Sequence, residues 1–234
     1  MSFLGDVWEW FTASEQWHGT FGIPNRTIEH IQLSILSILA AFALAVPLGV
    51  TLGHFRRGGS IAIITANLGR ALPSFGVLVL MIQVLGIGAG PTFVALVLLA
   101  IPPMLTNSYV GLAQVDDDLR DAARGMGMTQ WQMLWRVELP VGSPLVMAGI
   151  RTATVTVVAT ASLAALVAWG GLGRFVVDGI AQGDEAQTFG GAILIALLAI
   201  LAEIALAGIE RLVVPRPLRV GASVRRIAAD AEPV

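Results

Sequence analysis

The stretch that decides the fold is residues 116–140, which read DDDLRDAARGMGMTQWQMLWRVELP. It is the longest charged passage in a strongly apolar chain. Four apolar residues in it recur at i, i+3, i+4 and i+7, which predicts one apolar face on a short helix: Leu119, Ala122, Ala123 and Met126. The charged side chains are expected to face water instead: Asp118, Arg120, Asp121 and Arg124. The stretch is therefore predicted to be helical and too polar to lie in lipid.

Capping residues predict that this stretch forms two helices with a turn between them. Three aspartates at residues 116–118 precede the first helix, where carboxylates can cap free amides and oppose the positive end of the helix dipole. Gly125 and Gly127 are expected to end that helix. Thr129 and Gln132 have the spacing of a capping box, which predicts the start of a second helix. This second helix is predicted to place four residues on one side: Trp131, Leu134, Trp135 and Glu138.

The composition is typical of a multi-pass membrane protein. Of 234 residues, 56% are hydrophobic and 13% are charged, and the apolar residues come in blocks long enough to cross a bilayer. The chain has no cysteine, which excludes disulfides and thiolate metal sites. Its 14 basic residues are all arginine and its net charge is -2, which argues against nucleic-acid binding.

Five apolar stretches are long enough, at about 1.5 Å per residue, to cross a hydrocarbon core of about 30 Å. They are predicted at residues 31–53, 61–85, 92–113, 145–169 and 192–214. Pro102 and Pro103 are expected to break the third span, because proline removes backbone donors. Residues 114–144 connect the third and fourth spans and are called the polar loop below. The predicted fold class is an all-α, multi-pass membrane protein with a helix-turn-helix loop.

Residues 1–30 are predicted to be an extracytoplasmic segment resting at the membrane interface. Trp8, Trp10 and Trp17 are amphipathic aromatic residues of the kind that lie at headgroup level. A frayed terminus is the alternative. Residues 215–234 are predicted to be a basic cytoplasmic tail.

The distribution of arginine predicts the orientation of the chain in the membrane. With five spans, the 54–60 loop, the polar loop and the tail lie on one side and carry nine arginines, at positions 56, 57, 120, 124, 136, 216, 219, 225 and 226. The other side carries only Arg26 and Arg174. Because cytoplasmic loops are enriched in basic residues, the polar loop is predicted to be cytoplasmic and the N-terminus to lie outside.

Polar residues within the predicted spans are candidates for the translocation pathway. Arg70, Ser74, Asn107 and Glu203 form this set, since polar groups in spans tend to face the interior of the helix bundle. The alternative is structural, with Arg70 and Glu203 paired with each other or with backbone carbonyls. The three histidines, at positions 18, 30 and 54, are too scattered to predict a metal site.

The apolar face of the polar loop has no lipid to enter. It is predicted either to dock in a groove on a soluble partner, as amphipathic helices do, or to pack beneath its own helix bundle.

The spacing within the polar loop resembles the EAA motif of the permeases of binding-protein-dependent ABC importers. That motif is Glu-Ala-Ala, three residues, Gly, nine residues, Ile, any residue and Leu-Pro. The matching positions here are Asp121, Ala122, Ala123, Gly127, Val137, Leu139 and Pro140. Asp121 replaces Glu and Val137 replaces Ile, and neither change alters charge or apolar character. The resemblance implies that the loop is the coupling element that sits in a cleft of an ATPase subunit.

Further stretches resemble the permeases of glycine betaine, carnitine and choline importers. They are residues 27–34 (TIEHIQLS), 47–49 (PLG), 72–75 (LPSF), 86–91 (GIGAGP), 103–112 (PMLTNSYVGL) and 170–173 (GGLG). The resemblance covers about residues 27 to 215. The chain departs from the family pattern at Thr106, where we expect Arg, and at Arg70 and Ala71, where Gln-Thr is frequent. These departures concern the identity of the substrate.

The resemblance implies the type I importer permease fold and three partners: a separate ATPase subunit that binds ATP and magnesium, a second permease copy or related chain, and an extracytoplasmic substrate-binding protein. The chain itself is expected to bind no cofactor or metal and to have no enzymatic activity. Two other kinds of transporter remain open, an ABC importer for another small solute such as an amino acid and an ion-coupled secondary transporter that would use Arg70 and Glu203 as its relay. An intramembrane enzyme is a third class, for which the spans contain no nucleophile and base set.

Overall fold

The chain is described by a computed structural model that covers residues 3–62, 64–65, 73–167 and 169–215. Within these ranges the structure is helical and contains no strand. The α-helices are α1 Phe3–Thr12, α2 Ile23–His54, α3 Ser74–Leu85, α4 Ala89–Ala113, α5 Asp117–Gly125, α6 Gln130–Met133, α7 Leu139–Thr160, α8 Gly173–Gln182 and α9 Glu185–Val213. A π-helical turn, Leu134–Glu138, joins α6 to α7, and 3₁₀ turns occupy Ser14–Trp17 and Ala161–Val167. The predicted all-α fold is confirmed.

Four helical stretches in the described ranges are long and apolar enough to cross a membrane. They are Ile23–His54, Ala89–Ala113, Gln130–Val167 and Glu185–Val213. The first and last begin several residues before the predicted spans, and the third begins inside the polar loop. The predicted second span at 61–85 falls partly on residues outside the described ranges, and the apolar helix α3 covers its second half. The five-span arrangement therefore stays a prediction.

The expected break at Pro102 and Pro103 is wrong, because α4 continues through both residues. A proline removes one backbone donor, but its φ of about −65° is compatible with helical geometry. The intact turns on both sides hold the helix together. The Asn107 side chain adds a bond within α4, with Nδ2 donating to the Pro103 carbonyl at 2.8 Å.

The chain divides into two compact units. Unit 1 comprises Met1–Ala41, Arg70–Ala100 and Ala153–Glu203, and unit 2 comprises Phe42–Gly69, Ile101–Thr152 and Ile204–Val234.

A small aromatic core in unit 1 holds the N-terminal helix. Trp10 is buried with Ile23, Leu172 and Phe175, and its ring meets that of Phe175 edge to face at 5.4 Å. Trp10 also lies against Gly190, where an added Cβ would come within 2.4 Å of the indole. The alternative of a frayed terminus is therefore wrong, because burial of a large aromatic side chain anchors α1.

A second contact in unit 1 fixes the GGLG turn. One carboxylate oxygen of Glu29 accepts a hydrogen bond from the Gly171 backbone N–H at 2.8 Å and pairs with Arg26 at 2.9 Å. Gly171 has a φ of +83°, a backbone conformation that favours glycine. The neighbouring His30 is buried and lies 2.8 Å from the Val158 carbonyl through Nε2. The first turns of α2 therefore hold the start of α8.

Glycines in unit 2 bring helix backbones into direct contact. A Cβ added at Gly53 of α2 would lie 2.6 Å from the Tyr109 carbonyl of α4. A Cβ added at Gly142 of α7 would lie 2.7 Å from the Gly111 carbonyl of α4. Small residues at such crossings let membrane helices approach closely. Within unit 2, α4 therefore packs tightly against both α2 and α7.

Candidate functional site

The candidate site is the polar loop, which lies within unit 2 together with the ends of the helices that it contacts. Its first helix, α5, begins after Asp116, whose side chain accepts a hydrogen bond from the Asp118 backbone N–H at 3.0 Å. The predicted cap is therefore confirmed. Asp117 and Asp118 in the first turn place negative charge at the positive end of the helix dipole, which stabilises the helix.

The predicted division of α5 into an apolar buried face and a charged wet face is wrong. Ala123 is buried as expected, but Leu119 and Met126 are 46% and 69% exposed. Arg120, which was expected in water, is only 3% exposed. The helix is therefore rotated relative to the predicted orientation, with its arginine inward and part of its apolar surface outward.

The burial of Arg120 has a local cause in the ends of two long helices. Its Nη1 donates to the His54 carbonyl at 3.1 Å and its Nη2 donates to the Leu112 carbonyl at 2.8 Å. His54 is the last residue of α2 and Leu112 lies in the last turn of α4. Carbonyls at helix C-termini lack intrahelical partners and carry partial negative charge, so a guanidinium there satisfies both helices at once.

Glu138 completes this arrangement from the π-helical turn. Its carboxylate is fully buried, with Oε1 lying 3.2 Å from Arg120 Nη1 and Oε2 lying 2.5 Å from His54 Nδ1. Because a carboxylate oxygen only accepts, the histidine ring donates from Nδ1. His54, Arg120 and Glu138 are called the buried ion cluster below. It joins α2, α4, α5 and the π-helical turn.

Burial lowers the pKa of the Arg120 guanidinium from its usual value, and the carboxylate of Glu138 acts in the opposite direction. An arginine stays protonated in proteins, so the shift leaves the charge in place. The attraction to Glu138 and the two carbonyl bonds counter part of the cost of removing the guanidinium from water, and Arg120 Nε and Glu138 Oε1 are buried without a hydrogen-bond partner among the described residues.

The turn after α5 requires a glycine. Gly127 has a φ of +79°, and its N–H donates to the Arg124 carbonyl at 2.9 Å. The Met128 N–H donates to the Ala123 carbonyl at 3.1 Å and closes the end of the helix. A residue with φ > 0 at a helix C-terminus is usually glycine, because a Cβ there meets the backbone. The glycine of the resembling motif therefore has a conformational reason.

The second helix of the loop begins with the predicted capping box. The Gln132 N–H donates to Thr129 Oγ1 at 3.3 Å, and the Thr129 N–H donates to Gln132 Oε1 at 2.9 Å. The prediction is confirmed.

The expectation that four residues of this second helix share one side is confirmed for Trp131, Leu134 and Trp135, which line one cavity, and is wrong for Glu138. Trp131 and Trp135 are 67% and 55% exposed and stack edge to face at 5.5 Å, whereas Leu134 and Glu138 are buried. Glu138 departs from that side at the π-helical turn, in which the Leu139 N–H donates to the Leu134 carbonyl. A bond to the fifth preceding residue shifts the following side chains around the helix axis.

The residues that match the motif occupy distinct positions in the loop. Asp121 and Ala122 are exposed on α5, and Asp121 pairs with Arg124 at 2.8 Å. Ala123 is buried and Gly127 forms the turn. Val137, Leu139 and Pro140 are half-buried at the junction of the π-helical turn and α7.

Three of the four predicted pathway residues fall within the described ranges. Ser74 is half-buried at the first residue of α3, and Glu203 is half-buried on α9; both belong to unit 1. Asn107 belongs to unit 2, where its amide is bonded to its own helix. Arg70 lies outside the described residues, so its predicted pairing with Glu203 stays a prediction.

The roles of His54, Arg120 and Glu138 were missed by the sequence reasoning. Their partners are far apart in the chain, since His54 and Glu138 are separated by 84 residues. Two local signals are available in retrospect. His54 follows a long apolar stretch directly, and Glu138 stands between Val137 and Leu139 immediately before another. A charged residue in such a position is usually paired.

Comparison with known proteins extends over most of the chain. Residues 45–219 match the family described as "Binding-protein-dependent transport system inner membrane component". The chain is 36% identical over 194 residues to the glycine betaine/carnitine/choline transport system permease protein OpuCB of Bacillus subtilis, covering 83% of this chain and 89% of that protein. It is 36% identical over 190 residues to the choline transport system permease protein OpuBB of the same organism, covering 81% and 88%.

A similar fold is found among solved structures. An inward-facing structure of the methionine ABC transporter MetNI matches with a TM-score of 0.69 and 25% identity, covering 82% of this chain and 96% of that chain. The solved structure is an ABC importer permease with the same helical architecture, so the expected type I permease fold is confirmed. By its helices, its polar loop and the extent of these matches, the chain belongs to the family of inner membrane components of binding-protein-dependent transport systems.

Proposed function

We propose that this chain is the permease subunit of an ATP-driven importer for compatible solutes, namely glycine betaine, choline, carnitine or proline betaine. The relatives from Bacillus subtilis bear the names of glycine betaine, carnitine and choline systems and align over most of their length. An osmoprotectant import permease protein of Salmonella typhimurium, OsmW, is 33% identical over 202 residues. These names support the substrate class.

The observation that carries the proposal is the exposure of large apolar side chains on the polar loop. Leu119, Met126 and Trp131 lie open to solvent on the described surface of a loop that is too charged for lipid. Exposed apolar side chains in one region mark sites of protein interaction. Because the chain's own described helices leave them uncovered, we assign them to a soluble partner, the ATPase subunit that the EAA pattern implies.

ATP and magnesium are proposed to bind that separate ATPase, and the permease itself is proposed to bind no cofactor. A P-loop requires a lysine after its glycines to reach the phosphates. This chain contains no lysine. The missing lysine supports the proposal that another subunit hydrolyses ATP.

The proposed mechanism uses the polar loop as a lever. Closure of two ATPase subunits on ATP would displace the docked loops and switch the pathway from inward-open to outward-open. The helical stretch Gln130–Val167 supports this route, because it runs from the second helix of the loop into a membrane span without interruption. Force applied at Trp131 would therefore reach the span directly.

Two further partners are proposed from the small size of the chain and from where its aromatic residues lie. A single chain with about five spans cannot enclose a pathway, so we propose pairing with a second copy or a related permease. A quaternary ammonium group is best recognised by an aromatic cage, and the chain has a single tyrosine and places most of its six tryptophans outside the predicted spans. We therefore assign substrate selection to an extracytoplasmic binding protein.

The pathway residues remain part of the proposal. Arg70, Ser74, Asn107 and Glu203 are proposed to face the route of the solute, because polar side chains within spans tend to face protein or water.

The test is reconstitution of the permease with its ATPase and binding protein in proteoliposomes. Uptake and ATP hydrolysis are measured with glycine betaine, choline, carnitine, proline and a panel of other amino acids. We expect stimulated hydrolysis and uptake with at least one quaternary ammonium solute. Stimulation by an amino acid alone would overturn the substrate class, and uptake that persists without the ATPase would favour an ion-coupled transporter.

A further inference from the structure

The buried ion cluster connects the polar loop to two helices that the loop does not follow directly in the chain. Arg120 of α5 donates to carbonyls at the C-terminal ends of α2 and α4. Glu138 binds Arg120 and the side chain of His54, the last residue of α2. Motion of α5 therefore pulls on the ends of both helices through charged and hydrogen-bonded contacts.

The side chains of the buried ion cluster resist being separated from one another because its charges are out of water. Arg120 and His54 are buried and Glu138 has no exposed surface. Separating Arg120 from Glu138 would leave each ion buried without its partner, which is costly in a low-dielectric interior. The exposed ion pair between Arg56 and Asp117 joins α5 to the turn that directly follows α2. Such a pair can open into water at little cost.

Backbone contacts in unit 2 extend the rigid connection along the helices. Gly53 lies against Tyr109, and Gly142 lies against Gly111, with no room for a side chain at either crossing. Close-packed interiors have low compressibility and transmit strain. The unit 2 parts of α2, α4 and α7 therefore resist independent movement.

We infer that the buried ion cluster is the joint that transmits movement of the polar loop to α2 and α4, which makes His54, Arg120 and Glu138 positioning residues for transport. The inference rests on the proposed function and adds a second route to it. In the first route, the helical stretch that begins at Gln130 moves the span that contains α7. In the second route, the buried ion cluster transmits the same displacement of the polar loop to α2 and α4. None of the three side chains is assigned a contact with the solute.

Glu138→Gln tests the inference in the complete complex, because it removes the charge while keeping the size and one acceptor oxygen. Assembly with the ATPase and ATP hydrolysis are expected to persist, while solute transported per ATP falls by about tenfold, within the usual range of coupling between sites. Asp117→Asn is the matched control, since it removes the exposed ion pair between α5 and the turn after α2 and is expected to leave the ratio unchanged. An unchanged ratio in Glu138→Gln would overturn the inference.

If Glu138→Gln fails to assemble with the ATPase, a distance measurement tests the inference instead. It uses a chain in which the buried ion cluster is unaltered. Because the chain has no cysteine, spin labels can be placed at Leu44 and Asp118 alone, both of which are exposed. The distance between them is expected to be the same without nucleotide and with trapped ATP. A distance that changes between these two states would contradict the inference that the buried ion cluster makes α5 and α2 move together.

The two proposals fail in distinguishable ways. If the unaltered complex shows no ATP-driven uptake of any solute, the proposed function is wrong, and the distance between the labels still decides whether the loop and α2 move together. If the unaltered complex transports and Glu138→Gln transports with the same yield per ATP, only the joint is wrong.

Discussion

Arg120 illustrates how a charged residue can determine the orientation of a whole helix. Its helix carries apolar residues at helical spacing, and burying them would be the simplest arrangement. The structure instead buries the guanidinium, because two helix ends and a carboxylate present acceptors at one point. The apolar residues Leu119 and Met126 then face outward, where a partner can bind them. One arginine thus both fixes the loop and exposes the apolar surface that is proposed to bind the ATPase.

Gly127→Ala is predicted to weaken the loop through the backbone alone. Beyond the adjacent backbone, an added Cβ would meet no atom within 4 Å, so overlap with the rest of the fold is not the cause. The φ of +79° is the cause, and an L-residue in that conformation costs about 1–2 kcal/mol. We expect a lower thermal stability of the purified permease and weaker binding of the ATPase. Gly125→Ala is the control, because Gly125 ends α5 without a positive φ and is open in the same way.

Equal behaviour of the two glycine variants would contradict this reason for Gly127. It would also leave the glycine of the motif without a conformational explanation, since both positions tolerate a methyl group sterically.

Among the secondary-structure elements, features that depend on neighbouring residues were predicted correctly. Features that depend on contacts between distant parts of the chain were not. The caps at Asp116 and Thr129 depend on residues two or three positions away, and both were predicted from the sequence. The π-helical turn at Leu134–Glu138 was not predicted, because no local pattern specifies a bond to the fifth preceding residue. Its position is explained by Glu138, which reaches partners on α2 and α5 from there. Tertiary contacts therefore override the ordinary helical repeat at this point.

Thr129→Ala is predicted to destabilise the second helix of the loop by about 1 kcal/mol, the usual cost of a lost N-cap. The Gln132 N–H would lose its acceptor, and the reciprocal bond from the Thr129 N–H would lose its fixed geometry. Hydrogen exchange of the loop amides, measured by mass spectrometry, should show faster exchange at residues 130–133. Thr129→Ser keeps the hydroxyl and should exchange like the unaltered chain. Fast exchange in both variants would show that the cap does not hold this helix.

Trp10→Ala is predicted to release the N-terminal helix from unit 1. The indole is 7% exposed and packs on Phe175 and Gly190, and truncation of a buried aromatic residue costs about 3–5 kcal/mol. Limited proteolysis should cut residues 3–20 faster in this variant. Trp8→Ala is the control, because Trp8 is 71% exposed and its loss should leave cleavage unchanged. Protection that survives Trp10→Ala would mean that other contacts anchor α1.

For the whole molecule, composition was enough to predict the fold class but not the site. A chain with 56% hydrophobic residues in long blocks has to form membrane helices, because only helices satisfy their own backbone in lipid within a single stretch. The spacing of the EAA-like residues predicts which loop couples the chain to an ATPase. The buried ion cluster could not be predicted, since it brings together residues from three separate parts of the chain whose pairing depends on the packed fold. Local physics therefore predicts the loop, and tertiary packing determines how it is attached.

The orientation of the chain is the prediction that decides whether the polar loop can meet a cytoplasmic ATPase. Single cysteines are introduced at Ser14, Arg57, Asp118 and Gln182, all exposed in a chain without native cysteine. We expect an impermeant maleimide to label the cysteines at positions 14 and 182 in intact spheroplasts. The cysteines at positions 57 and 118 should be labelled only after lysis, because nine arginines lie on the side of the polar loop. Labelling of the cysteine at position 57 in intact spheroplasts would show that the topology is the reverse of the predicted one. The loop would then lie outside, where no ATP is available, and both the coupling role and the joint would be excluded.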